Sequence, residues 1–411
     1  MKVTSLFIFS LMTLLTWSPI SFSNDVLNHY PELHDAGLLI VDNQEQVILS
    51  SNENKAYIPA STTKLITAWL ALKHWGQDHY FRTHFYLDTP SKTLWIKGSG
   101  DPFLVSEEIR LIAKNLKALG LTDIETIGLD SSLFQSNLTV PGASKSNNPY
   151  DAIPSAIAAN FNTLDVKKRA GKIVSAETQT PMTALALNIA SQQTIHKKAL
   201  RINTGFSSQN SEQYFAELLA VLLREQGVSV ADDIIWGKVP QQTPYYIHKN
   251  SKSMGELIRP MMKYSTNFIA NQLVLILAAE HLQRPANFND VKTYMESTLI
   301  HHFSWKGITL NEGAGLSRDN RLSPKQLVEL LNDFRPWKML LPEVTTNIYA
   351  KSGTLNNVST LAGYTVDDNQ QWHAFALMMK QPVRHKRRNT IAQDLLNHSY
   401  SVGAASAANN P

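Results

Sequence analysis

IPASTTKLITAWLALKHWG, residues Ile58 to Gly76, is the most informative segment for the fold. Apolar side chains occupy nearly every face of the predicted helix, which begins near Ser61 and ends before Gly76. A helix that is apolar all round is typical of a buried, central element. Lys64 nevertheless lies one turn inside it, and a charged side chain in a buried position requires a reason.

The spacing of Ser61 and Lys64 places both side chains on one helix face, with Cβ atoms about 5–6 Å apart. A serine hydroxyl needs a base to act as a nucleophile, and burial lowers the pKa of a lysine so that it can be that base. Free backbone N–H groups at a helix N-terminus favour an oxyanion there. The alternative interpretation is a helix-capping serine followed by a lysine that extends to solvent.

Two later motifs favour the catalytic interpretation. Ser265-Thr266-Asn267 lies at a predicted break between two long apolar helices, where side chains can project from a loop. Lys351-Ser352-Gly353-Thr354 begins a predicted strand, and glycine in a strand often marks the close approach of a ligand or another backbone. Each motif on its own also has a structural explanation. Ser265 would be a loop cap, and Lys351 would be a surface lysine at the end of a strand. Three motifs in this order are typical of serine enzymes that react with penicillin.

With these motifs the chain resembles the D-alanyl-D-alanine carboxypeptidase/endopeptidase family, the low-molecular-mass class C penicillin-binding proteins that include penicillin-binding protein 4-like enzymes. Further family-like stretches are GSGDPFL at Gly98, IPSAIAANFN at Ile153 and EGAGLSRDNRLSP at Glu312. Glu312 stands where the family commonly has aspartate. About 200 residues separate Ser61 from Ser265, which fits the domain that this family inserts between its first two motifs.

The resemblance implies two groups of site residues. The catalytic group is Ser61, Lys64 and Ser265, and the substrate-binding group is Asn267, Lys351, Ser352, Gly353 and Thr354. Ser61 would be acylated, Lys64 would be its general base and Ser265 would relay a proton to the leaving amine. Lys351 would bind the substrate's terminal carboxylate. The implied partners are peptidoglycan peptides and β-lactam antibiotics, with no metal and no cofactor.

The implied fold class is α/β (α+β): a penicillin-binding/serine β-lactamase-like domain with an antiparallel five-stranded sheet flanked by helices, and an inserted mixed α/β domain. We expect the D,D-peptidase domain at residues 24–87 and 245–400, and the insert at residues 88–244. Within the insert, TALALNIA, Thr183 to Ala190, is interpreted as a short β-strand.

The N-terminus predicts export. Lys2 precedes an apolar run from Leu6 to Trp17, and Ser21-Phe22-Ser23 follows, which together are typical of a secretory signal peptide at residues 1–23. The run is short for a membrane span. Without any cysteine the chain can form no disulfide and carry no cysteine-linked lipid anchor. We therefore expect a periplasmic protein, with a disordered tail at residues 401–411.

The composition excludes few classes but does argue against nucleic-acid binding. The net charge is only +4, and neither an arginine-rich arm nor a zinc-finger spacing is present. The basic run RHKRR, residues 384–388, is interpreted as a solvated surface cluster, with weak membrane contact as the alternative. The oligomeric state stays open.

Two other functions remain open at this stage. A serine β-lactamase shares the three motifs and, in one class, adds a glutamate that positions the deacylating water. Glu296 echoes such a motif only weakly, and we interpret it as an ordinary helical residue. The third hypothesis is a catalytically weak cell-wall-binding protein of the same fold.

Overall fold

The computed structural model describes residues 33–240, 243–381, 383–384 and 386–395. The predicted signal peptide and the tail at residues 401–411 lie outside this part of the chain. The strands, in chain order, are β1 (Ala36–Val41), β2 (Val47–Ser51), β3 (Tyr80–Asp88), β4 (Thr93–Lys97), β5 (Asp123–Asp130), β6 (Thr163–Arg169), β7 (Lys172–Ser175), β8 (Leu200–Asn203), β9 (Ser229–Trp236), β10 (Tyr246–Ser253), β11 (Glu343–Thr345), β12 (Ile348–Leu355), β13 (Val358–Val366) and β14 (Trp372–Met379). The helices are α1 (Thr63–Trp75), α2 (Ser106–Ala118), α3 (Ala184–Ser191), α4 (Ser208–Glu225), α5 (Met254–Tyr264), α6 (Asn267–Leu282), α7 (Phe288–Phe303), α8 (Pro324–Phe334) and α9 (386–395).

The first sheet is antiparallel throughout, in the spatial order β11-β12-β13-β14-β1-β2. The expected antiparallel sheet is confirmed, although it has six strands rather than five. The additional strand is β11, which pairs only with Ile348 and Tyr349 at the start of β12. Its three residues are too few for an alternating pattern to reveal them in the sequence.

Helix α1 is the centre of the larger core. Every residue from Thr63 to Leu72 is buried, which explains why the helix is apolar on nearly all faces. Helices α5, α6 and α8 pack around it. A 3₁₀ turn, Ala60–Thr62, precedes α1, and Gly76 ends it with a φ of 79°, a conformation that glycine adopts without strain.

A second sheet, β10-β3-β4-β5-β9, has its own core against α2 and α4. Strands β4, β5 and β9 run parallel to one another. Strands β3 and β10 pair in this sheet, so the chain enters it before residue 88 and leaves it after residue 244. A small sheet, β7-β6-β8, completes this part of the molecule. The domain bounds 88–244 therefore stay a prediction. The second sheet extends beyond them on both sides, because it includes β3 and β10.

The strand predicted for Thr183 to Ala190 is wrong, because these residues form helix α3. Thr183 caps the helix by accepting a hydrogen bond from the Ala186 N–H through its side chain. A short apolar run does not distinguish a strand from a buried helix, and the alanines and leucines here favour the helix.

The basic cluster at residues 384–388 is only partly on the surface. Arg384, Lys386 and Arg387 are exposed. Arg388, on helix α9, is 2% exposed and lies under the first sheet. The interpretation of a wholly solvated cluster is therefore wrong for Arg388, whose partners are described below.

Candidate active site

The serine and lysine of the first motif are in contact. Ser61 lies in the 3₁₀ turn that precedes α1, and Lys64 lies in the first turn of the helix. The Lys64 Nζ atom is 3.2 Å from Ser61 Oγ. Ala60, directly before the nucleophile candidate, has a φ of 48°, an uncommon conformation for a residue with a side chain. Strained backbone of this kind often occurs at functional sites.

The other contacts of Lys64 determine how its amine can act. Nζ lies 2.8 Å from Asn267 Oδ1 and 2.7 Å from the Ala314 carbonyl oxygen, and both atoms can only accept. A neutral amine has two N–H bonds and one lone pair. With both N–H bonds donated to these oxygens, the lone pair is left to accept the Ser61 hydroxyl proton.

Burial favours this neutral form. Lys64 is 0% exposed, and burial lowers its pKa well below 10.5. The charge of Lys351 lowers the pKa further, whereas the carboxylate of Glu312 acts in the opposite direction. Burial is the largest of these causes, so the amine can be a base near neutral pH.

A buried loop, residues 312–317, holds the Ala314 carbonyl against Lys64. The Glu312 carboxylate accepts hydrogen bonds from the backbone N–H groups of residues 314, 315, 316 and 317 and from the Asn320 side chain. The loop is fastened to α1, because the Thr67 hydroxyl donates to the Gly313 carbonyl. It is fastened to α6 as well, because the Gly313 N–H donates to Asn271.

The third motif lies beside Ser61 on strand β12. A Cβ placed on Gly353 would be 2.8 Å from the Ser61 nitrogen, which shows how closely the strand approaches the first motif. Ser352 is half-buried and Thr354 is exposed. Since β11 pairs only with residues 348 and 349, the described part of the chain leaves residues 351–354 an open strand edge.

Lys351 is buried next to this edge, with 1% of its surface exposed, and its Nζ donates to the Ser352 carbonyl at 2.7 Å. Burial and then the charge of Arg388 lower the pKa of Lys351 to about 7. Arg388 itself donates to the carbonyl oxygens of Gly353 and Thr360. Burial lowers the pKa of Arg388 to about 10.

The second motif is at the predicted break between helices. Ser265 ends α5 with a φ of 58°, and Asn267 begins α6. Asn267 contacts Lys64 through Oδ1, and its Nδ2 donates to the Tyr150 carbonyl at 3.2 Å. Within the described residues, Ser265 Oγ has no hydrogen-bond partner, which leaves the hydroxyl available for a substrate.

The structure thus brings all three predicted motifs to one place, and it adds two residues that the sequence argument missed. Glu312 was noted only as a departure from the family pattern. Its signal was a carboxylate followed by the small residues Gly313, Ala314 and Gly315, which let the chain turn back so that Glu312 binds the N–H groups of Ala314 and Gly315. Arg388 gave no local signal. Among the described residues, no group of three or more histidine, aspartate or glutamate side chains is placed to hold a metal ion.

Solved structures of the same architecture establish the class of fold. The crystal structure of penicillin-binding protein 4 from Haemophilus influenzae matches with a TM-score of 0.74 at 22% identity, over 92% of this chain and 98% of the other. A predatory peptidoglycan endopeptidase from Bdellovibrio bacteriovorus matches with a TM-score of 0.51 at 15% identity, over 90% of this chain and 91% of the other. The penicillin-binding protein fold with an inserted domain is confirmed.

Residues 24–342 match the model of the D-Ala-D-Ala carboxypeptidase 3 (S13) family, and the chain belongs to that family. It is 24% identical to D-alanyl-D-alanine carboxypeptidase DacB of Haemophilus influenzae, with 88% of each chain covered. The family predicted from the three motifs is confirmed, and with it the enzyme class, a hydrolase of the serine-peptidase type.

Proposed function

We propose that this chain is a D-alanyl-D-alanine peptidase that cleaves peptidoglycan stem peptides through an acyl-enzyme on Ser61. The proposal rests on the buried Lys64 amine, whose two N–H bonds have acceptors other than Ser61. Its lone pair therefore faces a hydroxyl 3.2 Å away at the start of a helix. Family membership supplies the substrate class.

The first chemical step is acylation. Lys64 accepts the proton of Ser61, and Ser61 Oγ forms a bond to the carbonyl carbon of the penultimate D-alanine. The backbone N–H groups of Ser61 and Thr354 stabilise the oxyanion. The carbon–nitrogen bond then breaks, and Ser265 passes a proton from Lys64 to the leaving amine. Water hydrolyses the ester in the second step and restores the Ser61 hydroxyl.

Substrate binding uses the open edge of strand β12. An extended peptide can add to residues 351–354 as an extra strand, a common mode of peptide recognition. The protonated Lys351 amine attracts the terminal carboxylate, while the hydroxyls of Ser352 and Thr354 donate hydrogen bonds to it. The Asn267 side-chain amide gives up its hydrogen bond to the Tyr150 carbonyl and donates to a backbone carbonyl of the peptide instead. Carboxypeptidase and endopeptidase activities both place a D-centre carboxylate beside the scissile bond.

β-Lactam antibiotics are the second proposed ligand class. The Haemophilus influenzae protein has been crystallised with a β-lactam, and the Bdellovibrio bacteriovorus endopeptidase has been crystallised acylated by penicillin G. The β-lactamase alternative is not favoured. Glu296 lies in α7 and accepts hydrogen bonds from the Leu310 N–H and from Lys292, as expected of an ordinary helical residue.

Replacing the nucleophile tests the proposal. Ser61→Ala should abolish both labelling by a fluorescent penicillin and D-alanine release from a pentapeptide. Ser323→Ala is a matched control, because it removes only the cap of α8 and costs about 1 kcal/mol of stability. Continued D-alanine release by Ser61→Ala at the wild-type rate would contradict the mechanism. A third hypothesis, a binding protein without activity, predicts no release from the wild type either.

For localisation we propose the periplasm. The family match begins at residue 24, directly after the predicted cleavage site near Ser23. No helix in the described part of the chain is long and apolar enough to cross a membrane. Weak membrane contact through exposed Arg384, Lys386 and Arg387 remains a prediction.

A further inference from the structure

A cavity of about 510 Å³ lies apart from the three motifs, at the second sheet. Ser131 and Ser132 follow the end of β5, and Trp236 ends the parallel neighbour β9. In open sheets with parallel strands, ligands commonly bind outside the carboxyl ends of those strands. The volume falls within the range of about 300–1,000 Å³ that is typical of small-molecule sites.

The residues that line the cavity are mostly of polar types and almost all uncharged. Serine, glutamine and asparagine are the commonest of them, and only Glu212 and Lys238 carry ionisable side chains. Burial raises the pKa of Glu212 to about 7, and its carboxyl group accepts a hydrogen bond from Trp236 Nε1 at 2.8 Å. Hydroxyl and amide groups both donate and accept, which matches a ligand with many hydroxyl groups and little charge.

An aromatic ring accompanies these polar groups. Trp236, which lines the cavity, is 37% exposed. An exposed aromatic ring offers an apolar surface on which the C–H face of a sugar ring can pack while its hydroxyls bind polar neighbours. From this combination we infer that the cavity binds the glycan of peptidoglycan, at the disaccharide that carries the stem peptide.

The distance to the active site fits this assignment, which rests on the proposed function for its substrate. Gln272 lies five residues after Asn267 on α6, or about 7.5 Å along the helix. Its side chain donates to the carbonyl of Ser155, a cavity-lining residue, at 2.6 Å. A wall of the cavity is therefore within about 15 Å of Asn267. Four extended residues of a stem peptide span about 14 Å.

Direct binding tests the inference without any need for catalysis. We would titrate the Ser61→Ala protein with the N-acetylglucosaminyl–N-acetylmuramic acid disaccharide, its lactyl carboxyl group capped as a simple amide so that the probe is uncharged and peptide-free, and follow binding by calorimetry. We expect saturable binding, weakened at least tenfold by Trp236→Ala. Gln209→Ala, an exposed lining residue at the start of α4, should weaken binding at least threefold without a change in thermal stability. No binding, or equal binding by all variants, would overturn the inference.

The matched control is Trp95→Ala, on the same sheet. The Trp95 ring covers Gly128 and Gly237, whereas Trp236 bonds to α4, so the two rings lie on opposite faces. Trp95 touches the lining residue Gly237 only from the opposite face, so we expect Trp95→Ala to change disaccharide binding by less than about twofold. Because the start of α4 and Lys238 could attract an anion, inorganic phosphate is a second probe. Displacement of the disaccharide by millimolar phosphate would contradict a neutral glycan site.

Kinetics separate this inference from the proposed function. We expect a lower KM for disaccharide-linked pentapeptide than for free pentapeptide, and Trp236→Ala should remove that difference while leaving the kinetics of free pentapeptide unchanged. Activity on both substrates with equal KM in the wild type would overturn the glycan site alone. Disaccharide binding without D-alanine release from either substrate would leave the glycan site and contradict the proposed function.

Discussion

Adding one methyl group at Gly315 should disable the active site. Gly315 has a φ of 84°, and a Cβ there would lie 1.8 Å from the Ala60 carbonyl oxygen and 2.9 Å from the Ser61 nitrogen. A carbon–oxygen contact requires about 3.3 Å, so the Ala60–Ser61 backbone or the loop must move by about 1.5 Å. Displacements near 1 Å in an active site cost about 10²-fold in rate.

Gly315→Ala should also lower the free energy of unfolding, for two reasons. The left-handed conformation costs about 1–2 kcal/mol and the overpacking a further 1–3 kcal/mol. Gly307 is the matched control, since its φ is 68° and a methyl carbon added there would have no heavy atom within 4 Å beyond its chain neighbours. Gly307→Ala should therefore lose only about 1–2 kcal/mol and keep full activity.

The assay for both glycine variants is the second-order rate of acylation by a fluorescent penicillin, with denaturant unfolding as the measure of stability. We expect acylation to fall at least 10²-fold in Gly315→Ala and to stay at the wild-type rate in Gly307→Ala. If both variants are acylated at the same rate, the loop does not hold the Ser61 backbone in place, and the explanation fails.

Three other substitutions address charge at the site. Glu312→Gln should destabilise the protein by about 1–3 kcal/mol in denaturant unfolding, because an amide cannot accept all the N–H donors of the loop. It should also shift the acidic limb of the acylation profile to lower pH, since the lost carboxylate raised the pKa of Lys64. An acidic limb that moves up would contradict this assignment. Arg388→Met should move the alkaline limb of kcat/KM for a pentapeptide upward from about pH 7, because the charge of Arg388 lowers the pKa of Lys351 and Lys351 must be protonated to bind a carboxylate. An unchanged limb would contradict that role. Lys64→Ala should reduce penicillin labelling nearly as far as Ser61→Ala, since nucleophile and base act as a unit, and labelling at the wild-type rate would exclude Lys64 as the base.

The sequence was sufficient wherever the signal is local. Helix α1 and the helix break at Ser265 follow from apolar runs and from helix-ending residues within a few positions of each other. The three motifs could be identified because each is short and they occur in a fixed order. The prediction that the three motifs meet at one site came from the family resemblance, because no local sequence signal places Lys64 against Asn267.

Long-range packing explains what the sequence did not reveal. Arg388 stands in a basic run, which favours a surface position, yet its carbonyl acceptors lie 35 and 28 residues away. Strand β10 joins the second sheet by pairing with β3, more than 150 residues earlier, so no local composition change marks the domain edge. Helix α3 was mistaken for a strand because its burial depends on α4, which packs against it.

The protonation state of Lys64 underlies the whole mechanism, and it can be observed directly. With lysine labelled at Cε and Nζ, the Lys64 NMR signal can be assigned by its absence in Lys64→Arg and followed through a pH titration. We expect the chemical shifts of a neutral amine at pH 7.5. Shifts of a charged ammonium group that persist until about pH 10, near the ordinary lysine pKa of about 10.4, would contradict the mechanism.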